Sequence, residues 1–252
     1  MALEPQWEAR FEPNSYGFRP GRSCWDAIGA IYNNIHTEDK YVLDADIQGC
    51  FDNISHPALL CKLKAPRVIQ QAIQGWLKAG VMVGGDHVPT TQGTPQGGVI
   101  SPFLMNVALH GLEQVVYDSY DVPRRKSERY TPIKARLVRY ADDFVVLCKH
   151  REGIEVAKLA IEDFLARMGL ELNQDKTRIT HTYQPVNGQV GFDFLGFTIR
   201  QWPAGKTHTA RRTNGQPLGF RTQITVSKES IKRHLAHTKS ILRVHRARPN
   251  GS

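Results

Sequence analysis

The sequence predicts a mixed α+β fold in which antiparallel hairpins alternate with helices. Two apolar runs, RLVRY and FVVLC, flank Ala-Asp-Asp and indicate a β-hairpin. Amphipathic helical stretches stand before and after it, without the regular strand and helix alternation of a doubly wound parallel sheet. The order of strand, helices, hairpin and helices therefore favours an antiparallel sheet backed by helices.

The first hundred residues begin with a loop segment, EPNSYGFRPGRS, that is dense in Asn, Pro, Gly and Ser. Apolar residues at helical spacing predict a helix over about 24–35, and YVLDADI predicts a buried strand. A helix start at Ser55-His56-Pro57 follows, with proline near the first turn, where its missing N–H costs nothing. A second helix over roughly 66–79 and a Gly-rich hairpin near Gly84-Gly85-Asp86 complete this part.

The remainder of the chain continues the same alternation. SPFLMNVALHGLEQVVY predicts one long helix, and GIEVAKLAIEDFLARM predicts an amphipathic helix that ends at Gly169. Short strands are expected around 178–181 and 192–199, and FRTQITV alternates like a strand. A final helix is predicted after a Ser227 cap, with apolar residues at helical spacing: Ile231, Leu235, Ile241 and Leu242.

The composition excludes several classes of protein. The chain has 252 residues, of which 40% are hydrophobic and 23% charged, and this excludes disorder throughout, collagen and coiled coil. Its four cysteines form no CxxC pair, which indicates free thiols in a reducing compartment. The N-terminus lacks the pattern of a secretory signal, and no apolar run approaches a membrane span. We therefore expect a soluble, cytoplasmic protein with no membrane partner.

Positive charge is concentrated at the end of the chain. Residues 200–252 hold 12 Lys or Arg and one acid, Glu229, for a net charge of +11, whereas residues 1–199 hold 21 bases and 23 acids. Such a basic end is typical of a surface that neutralises phosphates. A solvated or disordered basic tail is the alternative. The strand and helix patterns within this stretch favour the phosphate-binding interpretation.

Adjacent acids mark the tip of the predicted hairpin, at Tyr140-Ala141-Asp142-Asp143. Two neighbouring carboxylates repel each other unless a cation lies beside them, and hard divalent cations prefer carboxylate oxygens. The alternative is an ordinary polar turn. On this segment alone, a metal site and a polar turn are equally plausible.

A second pair of acids favours the metal site. Asp44 and Asp46 stand two apart in YVLDADI and therefore share one face of a strand. Asp46 lies near the strand end and can meet the hairpin tip if the two elements are neighbours in one sheet, whereas Asp44 is expected to be a structural partner. Three acids converging at strand ends, with a basic flank, form the arrangement that two-metal phosphoryl or nucleotidyl transfer requires.

The Gly-rich segment GTPQGGVISP lies between the two acidic strands and before a predicted helix. Its glycines allow the backbone to lie close to a bound base or sugar, and Gln96 offers both a donor and an acceptor. A Gly-rich turn alone is weak evidence, but this placement indicates a nucleotide-binding loop.

Together these segments resemble the reverse transcriptases encoded by group II introns. Six motifs occur in the order and spacing of that family, over about residues 14–199: NSYGFRPGRS, DADIQGCFDNISH, GTPQGGVISP, YADD, GLELNQDKT and FDFLGF. The resemblance implies a right-hand polymerase palm whose antiparallel sheet is backed by helices, with partial fingers and a truncated thumb. The implied domains are partial fingers over 1–40, the catalytic palm over 41–200, and a basic hairpin with the start of the thumb over 201–252.

The resemblance also implies roles for individual residues. The metal-binding acids are Asp46, Asp142 and Asp143, and Lys176 lies near the leaving pyrophosphate. Phe51 stacks under the incoming sugar and excludes a 2′-hydroxyl. The nucleotide- and template-binding group contains Gln96, Gly97, Gly98, Tyr140 and the fingers cations Arg19 and Arg22, and the primer-gripping turn is Leu195-Gly196. From the residues alone, the alternatives are core packing for Phe51, a solvated surface position for Lys176 and a pairing of Arg22 with Asp26.

Three functions remain open at this point. The first is an RNA-directed DNA polymerase that uses Mg²⁺, for which Mn²⁺ can substitute, with an RNA template, a DNA primer, intron RNA and deoxynucleoside triphosphates as partners. We expect it to be a shortened form, active alone or with missing fingers and thumb supplied by another chain. The second is a truncated, non-polymerising RNA-binding maturase-like module. The third, a metal-dependent nuclease, explains neither Phe51 nor GTPQGG, and the intact acids favour the first.

Overall fold

The computed structural model describes residues 3–79, 81–83, 86–88, 92–94, 98–122, 133–205, 211 and 215–246. The chain forms two compact units, Met1–Ile179 and Thr180–Ser252. The domain boundaries expected from the sequence, after residues 40 and 200, divide the chain differently and stay a prediction. Within the described ranges, no helix has the length and apolar character needed to cross a membrane.

The described helices of the first unit surround its main sheet. They are α1 (Glu4–Glu8), α2 (Cys24–Ile35), α3 (Cys50–Asn53), α4 (His56–Leu63), α5 (Arg67–Lys78), α6 (Ser101–Leu109), α7 (Leu112–Ser119) and α8 (Arg151–Arg167). The strands, numbered in chain order, are β1 (Tyr41–Ala45), β2 (Val81–Val83), β3 (Asp86–Val88), β4 (Asp121–Val122), β5 (Ile133–Lys134), β6 (Arg136–Tyr140), β7 (Asp143–Cys148) and β8 (Arg178–His181). The mixed α+β fold predicted from the sequence is confirmed.

The main sheet has the strand order β6-β7-β1-β8, and two separate hairpins pair β2 with β3 and β4 with β5. The β6–β7 and β1–β7 pairs are antiparallel. Helix α8 packs on β1 and β7 and buries one apolar stripe completely: Ile154, Ala157, Ile161 and Leu165. Strand β7 pairs with β6 on one side and with β1 on the other. The turn between β6 and β7 is therefore fixed relative to the end of β1.

Several sequence-predicted elements form as expected. Helix α2 covers residues 24–35, is closed by a Ser23/Asp26 capping box, and buries its predicted apolar side. The predicted helix start at Ser55 is confirmed, because the Ser55 hydroxyl accepts a hydrogen bond from the Ala58 N–H at 3.5 Å. The hairpin predicted near residues 84–86 is present as β2 and β3, although residues 84 and 85 lie outside the described residues.

Two element predictions were wrong in detail. The single helix predicted from SPFLMNVALHGLEQVVY is broken into α6 and α7, because His110 is extended and Gly111 adopts φ +96°, outside the helical region. The single strand predicted around 192–199 is a hairpin, because Leu195 and Gly196 both have positive φ, 49° and 81°, and reverse the chain. Two consecutive left-handed residues are the geometry of a tight hairpin turn.

The second unit contains a three-stranded sheet and a long helix. The strands are β9 (Phe192–Phe194), β10 (Phe197–Pro203) and β11 (Phe220–Val226), in the order β11-β10-β9, and the helix is α9 (Lys228–Arg246). The predicted Ser227 cap is confirmed, since its hydroxyl accepts from the Ser230 N–H at 3.2 Å. The apolar residues of α9 are between 45% and 62% exposed: Ile231, Leu235, Ile241 and Leu242.

Candidate active site

The strand register brings the two acidic segments together at one end of the main sheet. In the antiparallel β1–β7 pair, Asp44 lies opposite Val145 and Ala45 lies opposite Phe144. One further step of the same register places Asp46 opposite Asp143. The meeting of the YVLDADI strand end with the hairpin tip, which the sequence analysis required, is therefore present.

The hairpin tip is a two-residue turn formed by Ala141 and Asp142. Tyr140 pairs with Asp143 across it, so Asp143 belongs to β7 and is not a turn residue. Ala141 has φ +59°, a conformation that residues with a Cβ seldom adopt. Such backbone strain persists only where surrounding contacts enforce it.

A buried arginine lies directly beneath this turn. Arg139 is fully buried, and its guanidinium donates to the carbonyl of Ala141 at 2.9 Å, to Oδ1 of Asn106 at 3.0 Å and to Oγ of Ser15 at 2.7 Å. Loss of hydration lowers the pKa of Arg139 to about 10. Its three partners come from the loop before α2, from α6 and from the turn itself, so one side chain joins three segments behind the acids.

The loop before α2 continues this support. Ser15 forms a parallel bridge with Arg139, whose N–H donates to the carbonyl of Asn14 at 2.9 Å. A Cβ on Gly17 would lie 2.2 Å from the backbone nitrogen of Ala141, so only glycine allows this approach. The amide of Asn106 donates to the carbonyl of Gly17 at 2.9 Å. The NSYGF segment is thus packed against the turn that carries Asp142.

Asp46 is held from the other side by the GLELNQDKT segment. The backbone nitrogen of Asn173 donates to the carbonyl of Asp46 at 2.9 Å, and the side chain of Lys176 then reaches its carboxylate, with Nζ 2.7 Å from Oδ2. This bond raises the pKa of Lys176 above its ordinary value. The sequence-predicted lysine is therefore brought to the predicted acids.

The acids influence one another electrostatically. Loss of hydration, followed by the charges of Asp142 and Asp46, raises the pKa of Asp143 to about 6, and a hydrogen bond to Asp46 acts in the same direction. The pKa of Asp142 is raised by loss of hydration and by the charge of Asp46. Ionised carboxylates held this close repel each other, and a cation between them would relieve that repulsion.

The donor chemistry of this cluster fits a hard divalent cation, which takes carboxylate oxygens. Within the described residues, no group of three or more His, Cys, Asp or Glu side chains stands in an arrangement ready to hold a metal ion. The ammonium of Lys176 and the hydrogen bond between Asp143 and Asp46 engage the oxygens that would do so. The roles assigned to these residues stay predictions.

Phe51 lies in α3, five residues after Asp46, and is half-buried against the core. Its ring meets that of Phe18 edge to face, with centroids 6.4 Å apart. Phe18 is 56% exposed and has φ +57°. A Cβ on Gly93 would lie 2.4 Å from the carbonyl oxygen of Asp52, so the start of the GTPQGG segment packs directly on α3. Phe51 is therefore bordered by two of the predicted motifs.

The other residues predicted to bind nucleotide or template lie partly within and partly outside the described residues. Gln96 and Gly97 lie outside the described residues, and Gly98 is half-buried, with its carbonyl accepting from the Ser101 N–H at 3.1 Å. Tyr140 packs against the core beside the acids. Its assignment to the nucleotide-binding group stays a prediction, as does that of Gly98.

The two fingers cations have structural partners. The guanidinium of Arg19 is buried and donates to the Glu8 carboxylate at 2.8 Å and to the carbonyls of Glu12 and Ser15, both at 2.8 Å. These bonds engage the guanidinium within the protein, and the assignment of Arg19 to the nucleotide-binding group stays a prediction. Arg22 donates to the carbonyl of Pro13 and lies over the Tyr16 ring, 5.3 Å from its centroid.

The predicted primer-gripping turn, Leu195-Gly196, belongs to the second unit. The carbonyl of Gly196 accepts from the Ser227 N–H at 2.9 Å, and a Cβ on Gly196 would lie 2.8 Å from Oγ of Ser230. The turn therefore packs against the start of α9 and depends on glycine at position 196. Its role towards a primer stays a prediction.

Sequence reasoning missed four residues of this site: Gly17, Phe18, Asn106 and Arg139. A charged residue inside the apolar run RLVRY was a visible signal for Arg139, because an arginine in a buried strand requires several hydrogen-bond partners. Asn106 gave a similar signal within the apolar helix SPFLMNVAL. Gly17 and Phe18 lie within the motif NSYGFRPGRS, but no local pattern assigned either of them a role at the site.

Comparison with known proteins identifies the family. The family model described as reverse transcriptase (RNA-dependent DNA polymerase) matches residues 1–199. The chain belongs to the reverse transcriptase family. The chain is 29% identical over 296 residues to the group II intron-encoded protein LtrA of Lactococcus lactis, covering 96% of this chain and 48% of LtrA. It is 32% identical over 228 residues to protein YkfC of Escherichia coli, covering 79% of this chain and 58% of YkfC.

Solved structures support the fold. A telomerase of Candida tropicalis, solved in complex with the TWJ fragment of telomeric RNA, superposes with a TM-score of 0.56 at 15% identity and covers 79% of this chain and 35% of the telomerase chain. This similarity confirms the polymerase-palm type of α+β fold that the sequence motifs implied. The chain spans about half the length of LtrA and YkfC.

Proposed function

We propose that this reverse transcriptase extends a DNA primer on an RNA template by two-metal nucleotidyl transfer. The observation that carries the proposal is the meeting of Asp46 with Asp142 and Asp143 at one end of the main sheet. The three carboxylates lie just after β1, in the hairpin turn and at the start of β7, and together they would offer oxygen ligands to divalent ions. The substrates that follow are an RNA template, a DNA primer and deoxynucleoside triphosphates.

The acids and the lysine of the site would have different roles in this reaction. Asp46, Asp142 and Asp143 would hold Mg²⁺, or Mn²⁺ in its place. When bound, divalent ions would lower the pKa of the primer 3′-hydroxyl and neutralise the charge of the departing pyrophosphate. Lys176 neutralises Asp46 in the arrangement described, and its largely exposed ammonium is suited to pair with a triphosphate oxygen instead.

Substrate selection would depend on the aromatic residues beside the acids. Phe51 is only half-buried and lies within ring contact of Phe18, so one edge of it can border a nucleotide sugar. A ring in contact with the sugar discriminates by clashing with an added 2′-hydroxyl. Replacing Phe51 by Val should therefore raise ribonucleotide incorporation relative to deoxynucleotide incorporation, whereas a role in core packing alone would leave the ratio unchanged.

Primer extension tests the proposal directly. On poly(rA)/oligo(dT) with dTTP and Mg²⁺ or Mn²⁺, we expect extension that stops with EDTA and is lost in Asp46→Asn. Asp163→Asn is the matched control, since Asp163 is an exposed acid on α8 paired with Arg167. Extension by Asp46→Asn at the parent rate would contradict the assignment of the carboxylates.

A second candidate is an RNA-binding module that does not polymerise alone, or one subunit of a split reverse transcriptase. One observation favours it: the second unit combines 12 bases with two acids. Tight RNA binding without extension, with extension appearing when a longer homologous chain is added, would support this candidate. Intron RNA and the other chain would then be the partners.

A further inference from the structure

The β10–β11 ribbon of the second unit has two faces of opposite character. Antiparallel register pairs Thr198 with Thr225, Arg200 with Gln223 and Trp202 with Arg221. Because side chains alternate across a strand, these six lie on one face. The other face is the buried one and contains Ile199, Gln201 and Phe220, which are at most 4% exposed.

The solvent face carries an aromatic side chain between two arginines. Trp202 is 41% exposed, and the guanidinium carbon of Arg200 lies 3.8 Å from its ring centroid. Arg221 stands directly across the ribbon from Trp202. An exposed indole is costly to hydrate, and a guanidinium this close to its ring makes a cation–π contact.

The sequence that contains this ribbon favours a polyanion. Residues 194–228 contain six Lys or Arg and no Asp or Glu. The nearest acid on the face is Asp193 at the far end, whose carboxylate accepts a hydrogen bond from the Thr198 hydroxyl. A basic strip with an exposed aromatic is the combination that single-stranded nucleic acid uses, with phosphates on the cations and a base on the ring.

We infer that the solvent face of β10–β11 binds single-stranded nucleic acid, with one base stacked on the Trp202–Arg200 pair and a neighbouring phosphate on Arg221. This inference rests on the proposed action on nucleic acid and assigns a contact outside the carboxylate site. The chemistry is shared by RNA and DNA strands, because every base has a flat face and every nucleotide a phosphate. An acidic peptide would use the arginines but would gain nothing from Trp202.

The test measures binding without catalysis. Fluorescence anisotropy with fluorescein-labelled oligo(rU) and oligo(dT), in EDTA and without nucleotides, isolates this contact from the polymerase reaction. We expect Trp202→Ala to weaken binding about 10-fold, within the range that loss of one stacked base produces, and Trp202→Phe to retain most of the affinity. Arg221→Gln should weaken binding less and reduce its salt dependence.

Trp76→Ala is the matched control, because Trp76 is a 54% exposed tryptophan on α5 in the first unit. It should bind both oligonucleotides like the parent. Oligonucleotides with abasic positions provide the decisive comparison: they should bind the parent more weakly, and Trp202→Ala should then cost nothing further. Thermal melting of each variant shows that the fold is retained.

Three results would overturn the inference. They are parent-like binding by Trp202→Ala, an equal loss for intact and abasic oligonucleotides, and failure of the parent to bind either strand. A preference for one strand type would identify whether template RNA or DNA uses the face. If binding behaves as expected while primer extension fails, the contact stands and the polymerase proposal falls; the reverse pattern leaves the polymerase and removes the contact.

Discussion

The two units of the chain use charge in opposite ways. The first holds 21 bases and 22 acids, and its central charges are buried or clustered: Arg139 makes three hydrogen bonds behind the turn, and Asp46 is paired with Lys176. The second holds 12 bases and two acids, most of them at the surface. In the first unit each group is fixed by its neighbours, so single changes should have large effects. In the second, contributions should be small and cumulative.

The two long helices show the same contrast. On α8 the apolar stripe is buried completely, and its three bases are each paired with an acid four residues away: Arg151 with Glu155, Lys158 with Glu162, and Arg167 with Asp163. On α9 the apolar side chains are about half exposed, and six bases accompany one acid, Glu229. A helix with this composition gains little stability from the packing of its apolar side chains.

The largest expected effect comes from removing the clustered charge of the first unit. Asp142→Asn combined with Asp143→Asn should abolish primer extension, because the amide oxygens that remain are poor ligands for Mg²⁺. RNA affinity should stay nearly intact, since we expect the 12 bases of the second unit to supply most of the phosphate neutralisation. Extension assays and anisotropy on one preparation check both statements, with Asp163→Asn as the control; surviving extension would end the metal assignment.

The opposite experiment removes charge from the second unit. Replacing Lys228, Lys232, Arg233 and Lys239 on α9 by Gln should flatten the dependence of log affinity on log salt by about 3, if each contacts one phosphate of a single strand. Extension at saturating template should change little. Arg151, Lys158 and Arg167 on α8, changed to Gln together, provide the control. Equal salt slopes for parent and fourfold variant would show that these bases are solvated surface.

Substitutions at two glycines test whether the loop before α2 packs tightly against the Ala141-Asp142 turn. Gly17→Ala places a Cβ 2.2 Å from the Ala141 nitrogen and should destabilise the protein by about 1–3 kcal/mol, as overpacking usually does. Gly29→Ala, within α2 and with open space around the new Cβ, should instead stabilise it by roughly 0.5–1 kcal/mol. Urea unfolding measures both. A neutral Gly17→Ala would mean that the loop does not press against the turn.

The sequence predicted the parts of this site that local pattern encodes. The α2 helix, the YVLDADI strand, the hairpin and the acids at its tip all follow from periodicity and turn chemistry, and the family motifs supplied the roles. Pattern could not show that Arg19 turns inward to Glu8, because a loop arginine has no periodicity that reveals its side-chain direction. It also could not show the break at Gly111 or the Arg139 network, since both depend on contacts far apart in the chain.

The smallest expected effect concerns the repulsion that the first unit tolerates. Asp143→Asn removes one clustered charge, and in EDTA at pH 7 it should stabilise the protein. One pKa unit corresponds to about 1.4 kcal/mol, but Asp143 is partly solvated, so we expect a gain of only about 1 kcal/mol. Urea unfolding of parent and variant at several pH values measures it.

The pH dependence gives the sign of this effect. The folded pKa of Asp143 is raised from 3.8 to about 6. Well below pH 3.8 its carboxyl is protonated in both the folded and the unfolded state, and the ionised carboxyl imposes no penalty there. Between pH 4 and 6 the unfolded state ionises first and the parent loses stability relative to the variant; above pH 6 the difference is constant. Asp163→Asn, an exposed paired acid, should change stability by less than about 0.5 kcal/mol. Two results would contradict the repulsion between the acids: Asp143→Asn that is no more stable than the parent at pH 7, or a gain in stability that persists at pH 3. In either case the clustered charges of the first unit and the dispersed charges of the second would not differ in their electrostatic effect on stability.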